Sequence, residues 1–223
     1  MYHSIDDNKE FFTVKRADFE RQMAYLAKEK YKVISILELI SKLKAQQKIE
    51  PKTVVLTFDD GYRDNYMQAF PVLKKYNFPA AIFVVTGLIG GVSVNRNDTR
   101  FQMLNWQEIR EMAESGLITF WPHTENHKKM TFLAEGGAEL EISKSKASLD
   151  SFFNKNLNIL AYPFGRYNQS VIDACKKSGI EAAFTVETGR VNLGDNMLEL
   201  KRNSIDSQVS FAMFKGIVKR GRL

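Results

Sequence analysis

Two short stretches of this 223-residue chain hold side chains that could do chemistry. In LTFDDGYRDNY, Leu56 to Tyr66, the adjacent carboxylates of Asp59 and Asp60 end an apolar run, and a glycine follows at once. Asp and Gly both tolerate the backbone angles of a tight turn, and either acid could cap the helix expected in YRDNYMQAF. Two acids side by side allow a second reading. In HTENH, His123 and His127 stand four residues apart, close enough to hold one metal ion from a turn or short helix. Adding one carboxylate gives two histidines and one aspartate, a ligand set for a divalent metal that leaves positions open for water and substrate. Both aspartates cannot comfortably face one bare pocket as anions. With a cation bound by one, the other is free to act as a base on a water molecule.

Such side chains need strand ends that converge. Apolar runs alternate with amphipathic ones along the chain: TVVLTF, NYMQAFPVLKKY, FPAAIFVV, NWQEIREMAESG and LITFW. A helix follows in which Ile142, Ser145, Leu149 and Phe152 recur at helical spacing, then NILAYPF, QSVIDACKKSG and EAAFTV. Strand and helix in turn predict parallel strands joined by crossover helices, an α/β fold. In such folds the C-terminal strand ends share one face. Asp59 and Asp60 after TVVLTF, His123 after LITFW, and PFGRYN after NILAY are expected to meet there. Gly116 and Gly179 stand where helices should end. Two amphipathic segments, RADFERQMAYLAKEK and SILELISKLKAQQ, precede the first strong strand, so residues 1–50 are expected to form an N-terminal lead-in and not a separate domain. Residues 87–102, rich in Gly and Asn, are expected to form one long loop near the functional rim.

Composition narrows the class. A chain of this length that is 44% hydrophobic and 12% aromatic buries one sizeable core and reads as a single domain over residues 1–223. Its longest apolar runs, such as AAIFVV, fall far short of the roughly 20 residues of a membrane-spanning helix. No transmembrane segment is expected. MYHSIDDNKE lacks a signal-peptide pattern, so either the chain works in the cytoplasm or it begins after a removed leader. Cys175, the one cysteine, forbids an internal disulfide and a thiolate zinc site, and reads as helix packing. The net charge of +6 is scattered over expected helices, which favours solvated faces. An anionic envelope polymer or phosphorylated glycan is the alternative, and nucleic acid is not expected because no binding motif accompanies the charge.

TFDDG, HTENH and YPFG, in this order and at these separations, resemble the polysaccharide deacetylase family, the carbohydrate esterases with a NodB-homology domain. The resemblance runs from about Met1 to Arg202. It implies a distorted (β/α) barrel with fewer than eight strands and a divalent metal, usually zinc and sometimes cobalt, nickel or iron. It makes Asp59 the catalytic base, Asp60, His123 and His127 the metal ligands, and Thr124 the brace of the histidine loop. Pro163, Phe164 and Gly165 then match the proline-aromatic-glycine turn, with the Phe164 backbone N–H helping to hold the oxyanion. Arg202 of LELKRNSI is the candidate for the arginine that tunes the base. The implied reaction is metal-dependent removal of N-acetyl groups from N-acetylglucosamine units of a cell-envelope or exopolysaccharide glycan, by a monomer.

Two departures bear on the branch and on the acid. Many peptidoglycan and chitin deacetylases carry Arg two residues before the motif proline, where this chain has Ala161; AYPFG is instead similar to the branch that acts on poly-N-acetylglucosamine. The family's late Leu-x-x-His element is missing, since no histidine follows His127. In that branch the acid comes from a YH near the N-terminus, and MYHSI supplies His3. If MYHSI is a first strand ending beside Asp59, with DDNKE as its turn, the His3 imidazole can give a proton to the leaving amine near neutral pH. That placement implies residues upstream of Met1 and an extracytoplasmic site of action: periplasmic, cell-surface or secreted. Trp121 and Tyr167 are candidate sugar-stacking faces, with Pro163 and Gly165 at the same subsite, whereas core packing accounts better for Trp106. Two alternatives stay open: a carbohydrate-binding barrel without turnover, and the same chemistry on a lipid-linked sugar, a formyl group or an O-acetyl ester.

Overall fold

The apolar runs form short buried strands, and the amphipathic runs between them form the helices that cover them. The computed structural model describes residues 1–221, so Arg222 and Leu223 of the expected domain lie outside the described residues. The order is β1 (Ser4–Ile5), β2 (Thr13–Val14), α1 (Arg16–Lys28), β3 (Lys32–Val33), α2 (Ile36–Lys44), β4 (Thr53–Val54) and β5 (Leu56–Phe58). Then come α3 (Phe70–Tyr76), β6 (Ala80–Val84), β7 (Val92–Val94), β8 (Arg100–Gln102), α4 (Trp106–Glu114) and β9 (Ile118–Pro122). The chain continues through α5 (Gly137–Phe153), β10 (Ile159–Ala161), α6 (Gln169–Lys177), β11 (Ala182–Phe184) and α7 (Phe211–Arg220). This is the α/β alternation expected. Among the described residues no helix is long and apolar enough to cross a membrane.

β5, β6 and β9 are parallel neighbours, with Phe58, Ile82 and Phe120 in register. Every residue of β6 is buried, as a strand covered on both faces requires, which is why AAIFV does not alternate. β1 pairs with β2, β3 with β4 and β10 with β11, all parallel. Single parallel bridges join Tyr2 to Phe58 and Phe184 to Leu200. The ladders remain separate, and none among the described residues closes on itself. The C-terminal ends of β5, β6 and β9 lie together, and a contact from the His123 ring to the Ala161 carbonyl brings the end of β10 to them.

Local chemistry sets the helix ends. α4 opens on a capping box: the Asn105 side chain accepts the Glu108 N–H, and the Glu108 side chain accepts the Asn105 N–H. Ser35 and Asn168 cap α2 and α6, and Gly116 and Gly179 fall just past the ends of α4 and α6. Neither Asp59 nor Asp60 caps a helix. After them the chain first makes a wide turn over Asn65–Ala69, with the Phe70 N–H donating to the Asn65 carbonyl, and only then enters α3. Pro71 has no N–H to continue ordinary helical bonding, and its ring crowds the carbonyl four residues back, which accounts for the widening.

The N-terminal segment is tied into the core. Tyr2 stacks on Phe58 and meets Phe19 edge-on, and its hydroxyl donates to Gln22. Phe19, Met23 and Leu26 of α1 are fully buried, each stabilising the fold by about 2–3 kcal/mol over an exposed position. Residues 87–102 do not form one long loop. β7 and β8 pair antiparallel as a hairpin, with Val92, Ser93 and Val94 opposite Gln102, Phe101 and Arg100. The Asn95 side chain accepts the N–H groups of Asn97 and Thr99, so the Asn that suggested a loop serves as hairpin turn.

Candidate active site

β5 ends at Phe58, and the next residues turn sharply. Asp60 has φ +72° and Gly61 φ +79°. A Cβ at Gly61 would lie 2.8 Å from Cγ1 of Val84, so the turn passes β6 only because the residue is glycine. Thr124, His127 and Phe164 also have positive φ, at +66°, +54° and +59°. Left-handed backbone is strained at a β-branched threonine, and such strain gathers where side chains must be held in fixed places.

The turn separates the two carboxylates. Asp59, 2% exposed, faces Arg202, whose Nη1 and Nη2 each donate to one of its oxygens at 2.7 Å. Arg202 is fixed in turn, with Nε donating to the Thr185 carbonyl at 2.9 Å and the guanidinium beside the rings of Phe83 and Phe184. Burial works against ionisation of Asp59, but the Arg202 guanidinium, together with neighbouring His123, outweighs it and holds the carboxyl below the usual carboxylate range.

Asp60 turns toward the histidines. Its Oδ1 lies 3.4 Å from Nε2 of His123 and 3.3 Å from Nε2 of His127. One ligand atom from each of the three falls within 4.8 Å of the others, so together they could hold a metal ion. A second observation fits a cation there. Oδ1 of Asp60 is buried and has no hydrogen-bond partner, a costly state unless a positive group completes it. His123 is 2% exposed, and its Nδ1 lies 2.8 Å from the Ala161 carbonyl. That contact assigns the proton to Nδ1 and leaves the Nε2 lone pair for a ligand. Burial lowers the pKa of His127 to about 4, so its ring is neutral near pH 7 and free to ligate. At His123 burial acts in the same direction, but the carboxylates of Asp60 and Asp59 outweigh it and move the pKa up. A bound cation would feel the same attraction.

The loop between the histidines is anchored from beneath. Oγ1 of Thr124 accepts the His127 N–H at 3.1 Å. Glu141 of α5, 5% exposed, accepts from the Asn126 N–H at 2.8 Å and from Asn126 Nδ2 at 2.9 Å, and pairs with Lys128 at 3.1 Å. Sequence reasoning passes over Glu141, because an acid on a long helix looks like a solvated face. Glu141→Ala should keep the fold and weaken metal retention by about ten- to hundredfold, as loss of such supporting bonds usually does. Competition with a chromogenic chelator measures it. Unchanged affinity would mean that Thr124 alone secures the loop.

His3 lies beside the aspartate turn. The Tyr2 N–H donates to the Thr57 carbonyl and the Asp59 N–H to the Tyr2 carbonyl, at 2.8 and 2.9 Å. With Tyr2 bridged to Phe58 in parallel register, His3 comes level with Asp59. MYHSI is not one strand ending at His3. Tyr2 pairs with β5 and Ser4–Ile5 pair with β2, so His3 falls where the chain changes partner. Phe164 is half-exposed with its ring 4.5 Å from that of His127, and Pro163 before it is buried. A Cβ at Gly165 would meet Cγ2 of Val186 at 2.3 Å, which fixes that turn as well. Tyr167 stacks on Tyr162 and donates its hydroxyl to Glu187 at 2.9 Å.

Trp121 presents no sugar-stacking face. Its ring is 3% exposed, and Nε1 donates to Thr119, because β9 runs through the covered sheet opposite Phe83. Trp106 packs on Phe152 at 4.5 Å. Cys175 is buried, and burial pushes its thiol up to about 12, which suits packing and not reactivity.

The profile of the polysaccharide deacetylase family matches residues 46–183. A Bacillus subtilis protein that carries a polysaccharide deacetylase name is 32% identical over 219 residues, covering 98% of this chain and 75% of that protein. A poly-β-1,6-N-acetyl-D-glucosamine N-deacetylase of Staphylococcus epidermidis is 33% identical over 184 residues, 79% of this chain and 62% of that protein. A solved Streptococcus pyogenes deacetylase in complex with acetate has a TM-score of 0.83 at 28% identity, covering 96% of this chain and 94% of its own.

Proposed function

This chain belongs to the polysaccharide deacetylase family, and on that premise we propose that it removes N-acetyl groups from the N-acetylglucosamine units of a cell-envelope or exopolysaccharide glycan. The observation that carries the reading is the division of labour in one turn: Asp59 is held by Arg202, while Asp60 joins His123 and His127. A divalent cation held by those three, zinc by the two-histidine, one-carboxylate donor set, supplies Lewis acidity at the amide carbonyl when bound. Asp59 takes the proton of the attacking water. Both its oxygens accept from Arg202, yet each carboxylate oxygen keeps a lone pair for that proton. Arg202 keeps the base ionised and aimed. His3, level with Asp59, gives a proton to the leaving nitrogen, without which an amide expels a poor leaving group. The backbone N–H of Phe164 helps to hold the carbonyl oxygen as charge develops on it.

The wider assignments follow the same reading. The strands are taken as a distorted barrel of fewer than eight staves. Its support is the bridges at Tyr2 and Leu200, together with backbone bonds from Met1 to Asn203 and from Ile205 to Met1 that lead from one ladder toward the next. Residues 1–223 are taken as one deacetylase domain working as a monomer. A glycan substrate of this kind places the enzyme outside the cytoplasm.

Acetate release tests the substrate class. N-acetylglucosamine oligomers should release acetate faster than acetylated xylan or a simple O-acetyl ester, measured by coupled assay at equal protein. Binding of every oligomer by titration without release from any would move the assignment to a carbohydrate-binding barrel.

A further inference from the structure

The end of the first chemical stretch, RDNY, has no part in the site as described so far. Its side chains reach back to the N-terminal segment. Asn65, 0% exposed, donates through Nδ2 to the His3 carbonyl at 2.8 Å and to Oδ1 of Asp64 at 2.8 Å. Asp64 Oδ1 accepts the Ile5 N–H at 3.0 Å, and its Oδ2 accepts the Ser4 hydroxyl at 2.7 Å. Three consecutive residues, His3, Ser4 and Ile5, are thus each gripped by this pair. His3 belongs to neither of the two strand pairings that flank it. The grip falls where regular pairing gives out.

We propose that Asp64 and Asn65 are positioning residues that fix the His3 segment against the Asp59–Asp60 turn. This rests on the reading of His3 as the proton donor. The wide turn over Asn65–Ala69 begins at the gripping residue, and turns of this π type recur at functional sites. One unbroken segment, Asp59 to Asn65, then carries the base, a metal-ligating carboxylate and the holder of the acid. A compact device of this sort keeps the three in one frame, and a misplacement of about 1 Å at a reacting group can slow a reaction by about a hundredfold.

The test compares an amide with an activated ester, whose leaving group needs no proton. Asp64→Ala should lower kcat for N-acetylglucosamine oligomers by about ten- to hundredfold, lower it much less for nitrophenyl acetate, and leave metal content unchanged. Asp64→Asn should be tolerated, because the Ser4 hydroxyl can accept from the new amide N–H as readily as it donates to the carboxylate. It keeps an acceptor for Ile5 and should restore most of the amide rate. Ser4→Ala, a smaller change that folds even if Asp64→Ala does not, should show the same amide-selective loss at a few-fold level. The double variant His3→Ala/Asp64→Ala should be no slower on the amide than His3→Ala alone, because both act through one group. Equal losses on both substrates in Asp64→Ala and Ser4→Ala, beside an amide-selective loss in His3→Ala, would overturn the positioning role alone. If His3→Ala itself shows no such selectivity, the reading of His3 fails and the positioning role with it.

Discussion

Asp59→Asn should lower kcat on N-acetyl oligomers by at least about a hundredfold, the scale of losing a general base, and should also destabilise the protein by about 3 kcal/mol. The second effect comes from Arg202. Arg202 is 6% exposed and its guanidinium donates to both Asp59 oxygens, so an amide in that place turns one N–H toward another donor and leaves a buried charge half-paired. A fall in stability therefore does not mark Asp59 as a mere helix cap, and no helix begins where it could serve as one. The two effects separate in the double variant Asp59→Asn/Arg202→Met. Removing the stranded cation should return the melting temperature toward that of the parent, since buried ion pairs are often replaceable by apolar groups without loss. The rate should stay low. Thermal melts and initial rates on the same preparations decide it: if the double variant regains most of its rate, the stranded charge caused the loss and Asp59 is not the base.

What could be read from the sequence is what depends on neighbours close along the chain. The strands of the α/β core are short continuous apolar runs because they are covered on both faces, and AAIFV and LITFW announce themselves for that reason. The start of α4 is written in Asn105 and Glu108, three residues apart. The aspartate pair and the histidine pair each sit within five residues, so spacing alone suggests their chemistry. The failures share a different cause. Whether Trp121 faces a sugar or the core depends on which sheet face is covered, and that is settled by core residues far from it in the chain. Glu141 meets Asn126 across 15 positions, and Asp64 meets Ser4 across 60. Nothing in the local pattern around either acid distinguishes it from a solvated charge. The hairpin at 92–102 is hard to see in the sequence because its turn, residues 95–99, uses the same Asn and Asp residues as an irregular loop.

His123→Ala should abolish both metal retention and amide hydrolysis, and His127→Ala should do the same with less damage to the fold. The purified parent is expected to carry close to one equivalent of divalent metal, and chelation should remove activity until metal is returned. The two histidines differ in what else they do. His123 is buried and tied to Ala161, so its removal leaves a cavity and an unpaired carbonyl at the end of β10 in addition to a missing ligand. His127 has a side chain 25% exposed and meets chiefly Asp60 and the Phe164 ring, so its removal takes away a ligand and little packing. Elemental analysis of both variants, alongside melting curves recorded in excess chelator, tells ligation from scaffolding. In chelator, where the metal's own stabilisation is absent, His127→Ala should melt close to the parent and His123→Ala several degrees lower. In excess zinc the parent should gain stability that neither variant gains. Stoichiometric metal and full activity in either variant would remove that histidine from the ligand set, and Oδ1 of Asp60, buried and without a partner, would then need another cation to account for it.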